Sequence, residues 1–205
     1  PAIACNLDIV RMENWNRAMY FEETGVPWVL PSPNIPTVNT AVVYPGGCLF
    51  EATNISEGRG TTLPFEFIGA PYLDGDALVE AVARENMTLR GATLRSVSFL
   101  PLSDKSKGEM CGGIQIHVTN RKEFQSFRWA LAIINAIRKL APSAFAWRGG
   151  TYEFVDKVPA IDLLYGNAAF REVVEGHGNL STLEASLTTF ENTYRADRAP
   201  FLLYS

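Results

Sequence analysis

The sequence lacks the features by which metal-binding and disulfide-stabilised proteins are usually recognised. It contains only two histidines and three cysteines in 205 residues, and no C-x-x-C motif. A structural zinc site needs four closely spaced Cys or His ligands, and a disulfide framework needs an even number of cysteines. We therefore expect no metal site and three reduced, packed thiols. One disulfide with a spare thiol is the alternative.

An excess of positive charge is also missing. The 18 Lys and Arg residues face 22 Asp and Glu residues, which gives a formal net charge of −4 and an isoelectric point near 5.3. Domains that bind nucleic acids or anionic membranes usually carry a basic patch. The charge balance therefore predicts no nucleic-acid partner.

Long hydrophobic runs are absent as well. The longest run, at residues 129–134, ends at Asn135, whereas a membrane-spanning helix needs about 20 apolar residues. The sequence therefore predicts no membrane span. It begins at Pro1 without a signal-peptide pattern, so we expect that any export signal was removed or never present.

What is present is the composition of an ordinary globular protein, with 47% hydrophobic residues, 20% charged residues and a mean hydropathy of +0.01. Patterning predicts a strand end at 7–10 and strands at 40–44, 64–69, 93–102 and 114–118. It predicts helices at 12–24, from Asp74 or Asp76 to 87, from an Asn120 cap to 140, and at 161–165, 168–175 and 181–196. This mixture predicts an α/β or α+β fold in which a mixed sheet packs against helices.

Residues 51–62 form the segment with the strongest chemical signal. The segment is polar and rich in glycine, and it contains Glu51, Glu57 and Arg59; Glu66 follows shortly after it. Glycines allow a backbone to approach a ligand closely, and two carboxylates near an arginine are a minimum for acid–base work on a glycosidic bond. We expect a loop that is too polar for the core and too compact for a linker. The alternative is that Glu57 and Arg59 simply pair with each other.

Other candidate residues carry a weaker signal. His117 lies with Gln115 on the polar face of a predicted strand, and the prolines around Asn34 fix the backbone that presents its amide. Tyr44 is suited to stacking on a sugar face. The alternatives are a structural histidine, an Asx turn and a core aromatic, respectively.

Several long motifs, in order, resemble the exo-β-N-acetylmuramidase family typified by NamZ. They are WVLPSPNIP (28–36), YPGGCLFEATNISEGRGTT (44–62), PFEFIGAP (64–71), CGGIQIH (111–117) and FLLY (201–204). The resemblance implies a Rossmann-like N-terminal domain, a smaller C-terminal α/β domain and an active site in the cleft between them. Residues 1–47 would then be the end of the first domain and residues 48–205 the second, so most of the N-terminal domain is missing.

The same resemblance implies a glycoside hydrolase that needs no cofactor. Its members release terminal N-acetylmuramic acid from the non-reducing ends of peptidoglycan fragments, which favours a periplasmic or extracellular location. We expect Glu57 and Glu51 to be catalytic and Arg59 to bind the lactyl carboxylate of the sugar. The remaining expected substrate-binding residues are Asn34, Asn54, Ser56, His117 and Tyr44. A non-catalytic glycan-binding or interaction module is the alternative.

Overall fold

The computed structural model describes residues 4–204, which form a small antiparallel sheet packed against helices. The strands are β1 (Phe67–Ala70), β2 (Ala92–Phe99) and β3 (Cys111–Val118), in the order β1-β3-β2. The helices are α1 (Val38–Gly47), α2 (Gly75–Ala83), α3 (Ser126–Leu140), α4 (Ala160–Tyr165), α5 (Ala169–Val174) and α6 (Leu180–Arg198). Short 3-10 turns occur at Phe21–Thr24, Cys48–Ala52 and Ala199–Phe201. The expected mixed α/β architecture is confirmed.

The sheet buries one face against helices. Strand β3 is central, and its Gln115 lies opposite Phe67 of β1 and Arg95 of β2. Ile114 and Ile116, which alternate with Gln115, are buried in the same core as α3. The period of two therefore placed Ile114 and Ile116 correctly in the core, but Gln115, expected on a polar face, is also buried, and its Oε1 accepts a hydrogen bond from Arg95.

Helix α3 lies at the centre of that core. Every residue from Arg128 to Ile137 is buried, and α1 and α2 both pack against the helix. The approach of α1 is close at Gly46, where an added Cβ would collide with the backbone carbonyl of Ser126. A residue without a side chain is therefore needed at this crossing.

The strand predicted at residues 40–44 is wrong, because these residues belong to α1. The Thr37 side chain caps the helix by accepting a hydrogen bond from the backbone N–H of Thr40. Pro45 also lies inside the helix, near its end. A short apolar run does not by itself distinguish a buried strand from a buried helix, and here the packing on α3 selects the helix.

Three further expectations need correction. No strand occurs at 7–10, and the helix predicted at 12–24 is reduced to the turn Phe21–Thr24. Helix α3 begins at Ser126 rather than just after Asn120, whose side chain accepts instead from the backbone N–H of Lys122 in a separate turn. The predicted strands at 64–69, 93–102 and 114–118 and the cap at Asp74 are confirmed, with ends shifted by a few residues.

Candidate active site

The segment at residues 51–62 lies largely inside the protein, so the expectation that it is too polar for the core is wrong. Ala52 and Ile55 are fully buried, and the Glu57 side chain is only 1% exposed. Ser56 exchanges two backbone hydrogen bonds with Gly69, at 2.8 and 3.0 Å, and so attaches the segment to the edge of β1. This pairing satisfies backbone groups that would otherwise be unpaired in the interior.

Arg59 joins two carboxylates of this segment. Its Nε donates to Glu57 Oε1 at 2.7 Å, and its Nη2 donates to Glu51 Oε1 at 2.8 Å. The guanidinium lies over the ring of Phe65, 5.0 Å from the ring centre. The structure therefore brings Glu51, Glu57 and Arg59 together. The two carboxylates bind the edge of the Arg59 guanidinium, and the Phe65 ring packs against its face.

Lys105 supplies a second cation to the cluster. Its Nζ donates to the backbone carbonyls of Phe50 and Ile55, at 2.7 and 3.0 Å, and lies 2.8 Å from Glu57 Oε2. The last contact joins two charges but lacks hydrogen-bond geometry, so Oε2 has no hydrogen-bond donor within residues 4–204. The charge of the buried Glu57 carboxylate is therefore balanced by Arg59 and Lys105.

The residues on either side of Lys105 have an unusual backbone. Asp104 and Ser106 both have positive φ angles, 60° and 55°, a conformation that is uncommon for residues other than glycine. Asp104 Oδ2 also lies 3.5 Å from Arg59 Nε. A strained loop therefore holds the Lys105 side chain inside the protein.

Tyr152 completes the surroundings of Glu51. Its hydroxyl donates to Glu51 Oε2 at 3.0 Å, and burial, reinforced by the negative charge of Glu51, raises the pKa of Tyr152 far above its ordinary value. The hydroxyl therefore stays protonated and remains a donor. The Glu51 side chain is 18% exposed, which makes it the more accessible of the two carboxylates.

Tyr44 lies at the edge of this cluster. Its ring packs edge-on against Phe65, with the ring centres 4.9 Å apart. Burial, followed by the negative charge of Glu51, raises the pKa of Tyr44. The tyrosine therefore stays neutral beside Glu51.

Asn54 and Ser56, two further residues from the sequence-based set, have structural partners. Asn54 Nδ2 donates to the carbonyl of Ala144 at 2.8 Å, and its Oδ1 accepts from Ala146 N and the Tyr72 hydroxyl, both at 3.0 Å. Ser56 is 1% exposed, and its hydroxyl accepts from Gly58 N. Asn54 thus holds the segment at 144–146, and Ser56 shapes the turn at Gly58.

Asn34, His117 and Glu66 do not join the cluster by any hydrogen bond or ion pair in the described part of the chain. The backbone N–H of Asn34 donates to the Ser32 hydroxyl, and His117 lies half-buried on β3 opposite Thr93. Glu66 is buried at the start of α1, where it accepts from the Thr40 hydroxyl at 2.7 Å. A carboxylate is stabilised at this end of a helix by the free amides of the first turn.

A cleft of about 510 Å³ lies beside the cluster. It is lined by Thr53, Asn54, Asp104, Lys105, Ser106, Trp147, Arg148 and Gly149. Sequence patterning missed Lys105, Tyr152, Trp147 and Arg148. They come from segments to which patterning assigned no strand, helix or motif, and no local motif connects them with Glu51.

Within residues 4–204 no group of three or more His, Cys, Asp or Glu side chains is placed to hold a metal ion. None of the helices described is long and apolar enough to cross a membrane.

Comparisons with known proteins show that this chain is similar to one family. The model described as "Exo-beta-N-acetylmuramidase NamZ, C-terminal" matches residues 42–204, and its N-terminal counterpart matches residues 1–39. The peptidoglycan beta-N-acetylmuramidase NamZ of Bacillus subtilis is 39% identical over 206 residues, which cover 99% of this chain and 47% of that protein. The chain therefore spans about half the length of this relative.

Two crystal structures of DUF1343 family proteins from Bacteroides fragilis resemble the fold. The first has a TM-score of 0.81 at 24% identity and covers 98% of this chain and 51% of that one. The second has a TM-score of 0.55 at 26% identity and covers 86% of this chain and 44% of that one. The first likeness extends over nearly all of the chain and supports the fold described above.

Proposed function

The chain belongs to the exo-β-N-acetylmuramidase NamZ family, and we propose that it forms one wall of the active site of a peptidoglycan β-N-acetylmuramidase. The enzyme would remove N-acetylmuramic acid from the non-reducing ends of peptidoglycan fragments. The observation that carries this proposal is the cluster in which Arg59 and Tyr152 present the partly exposed Glu51. The Bacillus subtilis relative, which bears the name of this activity, supplies the reaction.

We assign the contact with substrate to Glu51. Each of its oxygens already accepts one hydrogen bond, from Arg59 or Tyr152, and a carboxylate oxygen has lone pairs for a second. In hydrolysis, water adds across the glycosidic bond: the leaving oxygen gains a proton and the sugar carbon gains a hydroxyl group. A carboxylate held in a fixed orientation can orient a sugar hydroxyl or take part in these proton transfers.

Glu57, expected from the sequence to be catalytic, receives a positioning role in this proposal. At 1% exposure it is shielded from any ligand in solvent, and its charge faces Arg59 and Lys105. Glu57 would act through Arg59, because the guanidinium that it fixes also holds Glu51. Asn54 and Ser56 would support the same wall by holding the backbone.

We further propose that a Rossmann-like N-terminal domain supplies the opposite wall of the cleft and any second catalytic carboxylate. The change of family model between residues 39 and 42 supports a domain boundary there. Helix α1 packs against α3, which favours a boundary before this helix rather than at residue 47. The exposed Leu7, Ile9 and Val10 are suited to burial in such a domain.

The proposal is tested with Glu51→Gln in the complete protein. The substrate is a disaccharide with N-acetylmuramic acid at its non-reducing end, and release of the free sugar is followed by mass spectrometry. We expect kcat to fall by at least about 100-fold, because the substitution removes a general acid–base group. Glu80→Gln, on the exposed surface of α2, is the matched control.

Turnover by Glu51→Gln at the wild-type rate would remove Glu51 from the mechanism. Wild-type protein that binds the disaccharide without cleaving it would favour the second candidate, a non-catalytic glycan-binding module.

A further inference from the structure

Arg59 is poorly suited to the role that the sequence suggests for it, which is to bind the substrate carboxylate. Two of its nitrogens already donate to Glu57 and Glu51, and Asp104 lies 3.5 Å from its Nε. A carboxylate that approached Arg59 would therefore meet three others. Like charges at such distances repel each other, so an anionic ligand needs a cation elsewhere.

Arg148 is a cation close to Glu51, because it lies over the tyrosine that binds Glu51. Its guanidinium lies over the Tyr152 ring, 5.3 Å from the ring centre, and makes no ion pair or side-chain hydrogen bond within residues 4–204. Its backbone N–H donates to the Ala52 carbonyl at 2.8 Å, beside Glu51. The backbone of Arg148 is thus held in place, while its guanidinium is exposed to solvent and unpaired in the described part of the chain.

The cleft that Arg148 lines is open and lined mostly by polar residues, and it is large enough for a small ligand. Its volume of about 510 Å³ lies within the range of about 300–1,000 Å³ that is typical of such sites. Trp147 lines it as well, held by edge-on contacts with Phe145 and Phe170 and by a hydrogen bond from its indole N–H to Glu175. An arginine and a fixed indole ring match a ligand that combines a carboxylate with an apolar ring face.

No other charged side chain of the cleft pairs with Arg148 in the described part of the chain. Lys105 is neutralised by Glu57, and Asp104 faces Arg59. The charge that remains to attract an anion is therefore the guanidinium of Arg148.

Building on the function proposed above, we propose that Arg148 binds the lactyl carboxylate of N-acetylmuramic acid and that Trp147 lies beside the sugar ring. N-acetylglucosamine lacks this carboxylate, so Arg148 would select N-acetylmuramic acid over N-acetylglucosamine. Recognition and reaction are then separated: Arg148 binds the anion, while Glu51 faces the reacting end.

The test compares three chromogenic substrates in the complete protein: the 4-nitrophenyl β-glycoside of N-acetylmuramic acid, the same glycoside with an amidated lactyl group, and that of N-acetylglucosamine. For Arg148→Gln, we expect kcat/KM for the acid to fall about 10- to 100-fold, since a hydrogen bond to a charged group is lost. The two uncharged substrates should be unaffected. Arg148→Lys should retain part of the preference, and Arg84→Gln, at an exposed ion pair on α2, is the control.

Equal losses on all three substrates, or no loss on the acid, would overturn the assignment. A fourth substrate, in which the lactyl group carries a dipeptide, distinguishes the sugar carboxylate from a peptide carboxylate. If Arg148→Gln impaired only this substrate, the lactyl assignment would be wrong.

The failure of this inference can be distinguished from failure of the proposed function. If the wild-type protein cleaves none of the substrates, the muramidase activity is refuted, and calorimetric titration with free N-acetylmuramic acid and N-acetylglucosamine then tests Arg148 by itself. Tighter binding of the acid that disappears in Arg148→Gln would support the site. Equal binding of the two sugars would overturn it.

Discussion

Replacing Glu57 with glutamine should destabilise the fold by about 3 kcal/mol. The substitution preserves the size of the side chain but removes the charge that Arg59 and Lys105 face, at 2.7 and 2.8 Å. Removing one partner of a buried ion pair typically costs about 3–5 kcal/mol, because the other charge stays buried without compensation. The lower end applies here, because Lys105 keeps two carbonyl acceptors and Arg59 keeps Glu51.

Urea and thermal unfolding at pH 7 measure this effect. For a chain of this size, a loss of about 3 kcal/mol lowers the midpoint of thermal unfolding by about 6–12 °C. The control is Glu80→Gln, which removes an exposed ion pair with Arg84 on α2 and should change the free energy of unfolding by less than about 0.5 kcal/mol.

A double substitution tests the physical reason. If Glu57 and Lys105 stabilise each other, then Lys105→Met should cost less in the Glu57→Gln background than in the wild type, by at least about 1 kcal/mol. A Glu57→Gln protein as stable as the wild type, or strictly additive effects in the double variant, would refute the reasoning.

Two further predictions concern the surroundings of the cluster. Asn54→Ala removes the acceptor of the Ala146 N–H and the donor to the Ala144 carbonyl, so we expect a loss of about 1 kcal/mol and faster amide hydrogen exchange around residues 144–149. Unchanged exchange would contradict the bracing role of Asn54. Burial, reinforced by the charge of Glu51, raises the pKa of the Cys48 thiol from 9.0 to about 11. At pH 8 its thiolate fraction should be about 100-fold lower than that of an unperturbed thiol, so its alkylation, followed by peptide mass spectrometry, should be at least about 10-fold slower. Equal labelling of Cys48 and the exposed Cys5 would contradict this. Because the unfolded thiol ionises first, any stability that Cys48 contributes is present below about pH 9 and is lost as the pH rises towards 11.

The elements that could be predicted from the sequence are those with a strong local signal. The alternation around Gln115 identified β3, and Asp74 identified the start of α2 because a side-chain cap acts within a few residues. Helix α1 was missed although Thr37 caps it in the same way as Asp74 caps α2, because its apolar run suits a strand equally well. The packing of this run on α3, where Gly46 comes close to Ser126, is not visible in the local sequence.

The same distinction applies to the candidate site. Glu51 and Arg59 are eight residues apart, so their meeting was within reach of a sequence argument. Tyr152 lies 101 residues from Glu51, and Lys105 lies 50 residues from its acceptor Ile55. No spacing rule predicts contacts at such separations, because they depend on how the whole chain packs. Burial of Glu57 was missed for the same reason, since its cations come from both near and distant segments.

The arrangement of charges around Glu51 is not what stability alone would select. A buried ion pair such as Glu57 with Lys105 is often no more stabilising than apolar side chains of the same size, and the positive φ angles of Asp104 and Ser106 add strain. An arrangement of this kind is typical of sites where a side chain must be held in one orientation. The side chain held here is Glu51. Of the two carboxylates that Arg59 contacts, Glu51 is 18% exposed and Glu57 only 1%.

The charge balance of the cluster points to the same division of roles. Three carboxylates, Glu51, Glu57 and Asp104, face two cations, Arg59 and Lys105, so the cluster that contains Glu51 carries one excess negative charge. An anionic sugar would be repelled from this position unless its carboxylate were held away from it. The free guanidinium of Arg148, fixed over the ring of the tyrosine that binds Glu51, provides such a place. The proposed separation of a recognising cation from a reacting carboxylate therefore agrees with the electrostatics of the cluster itself.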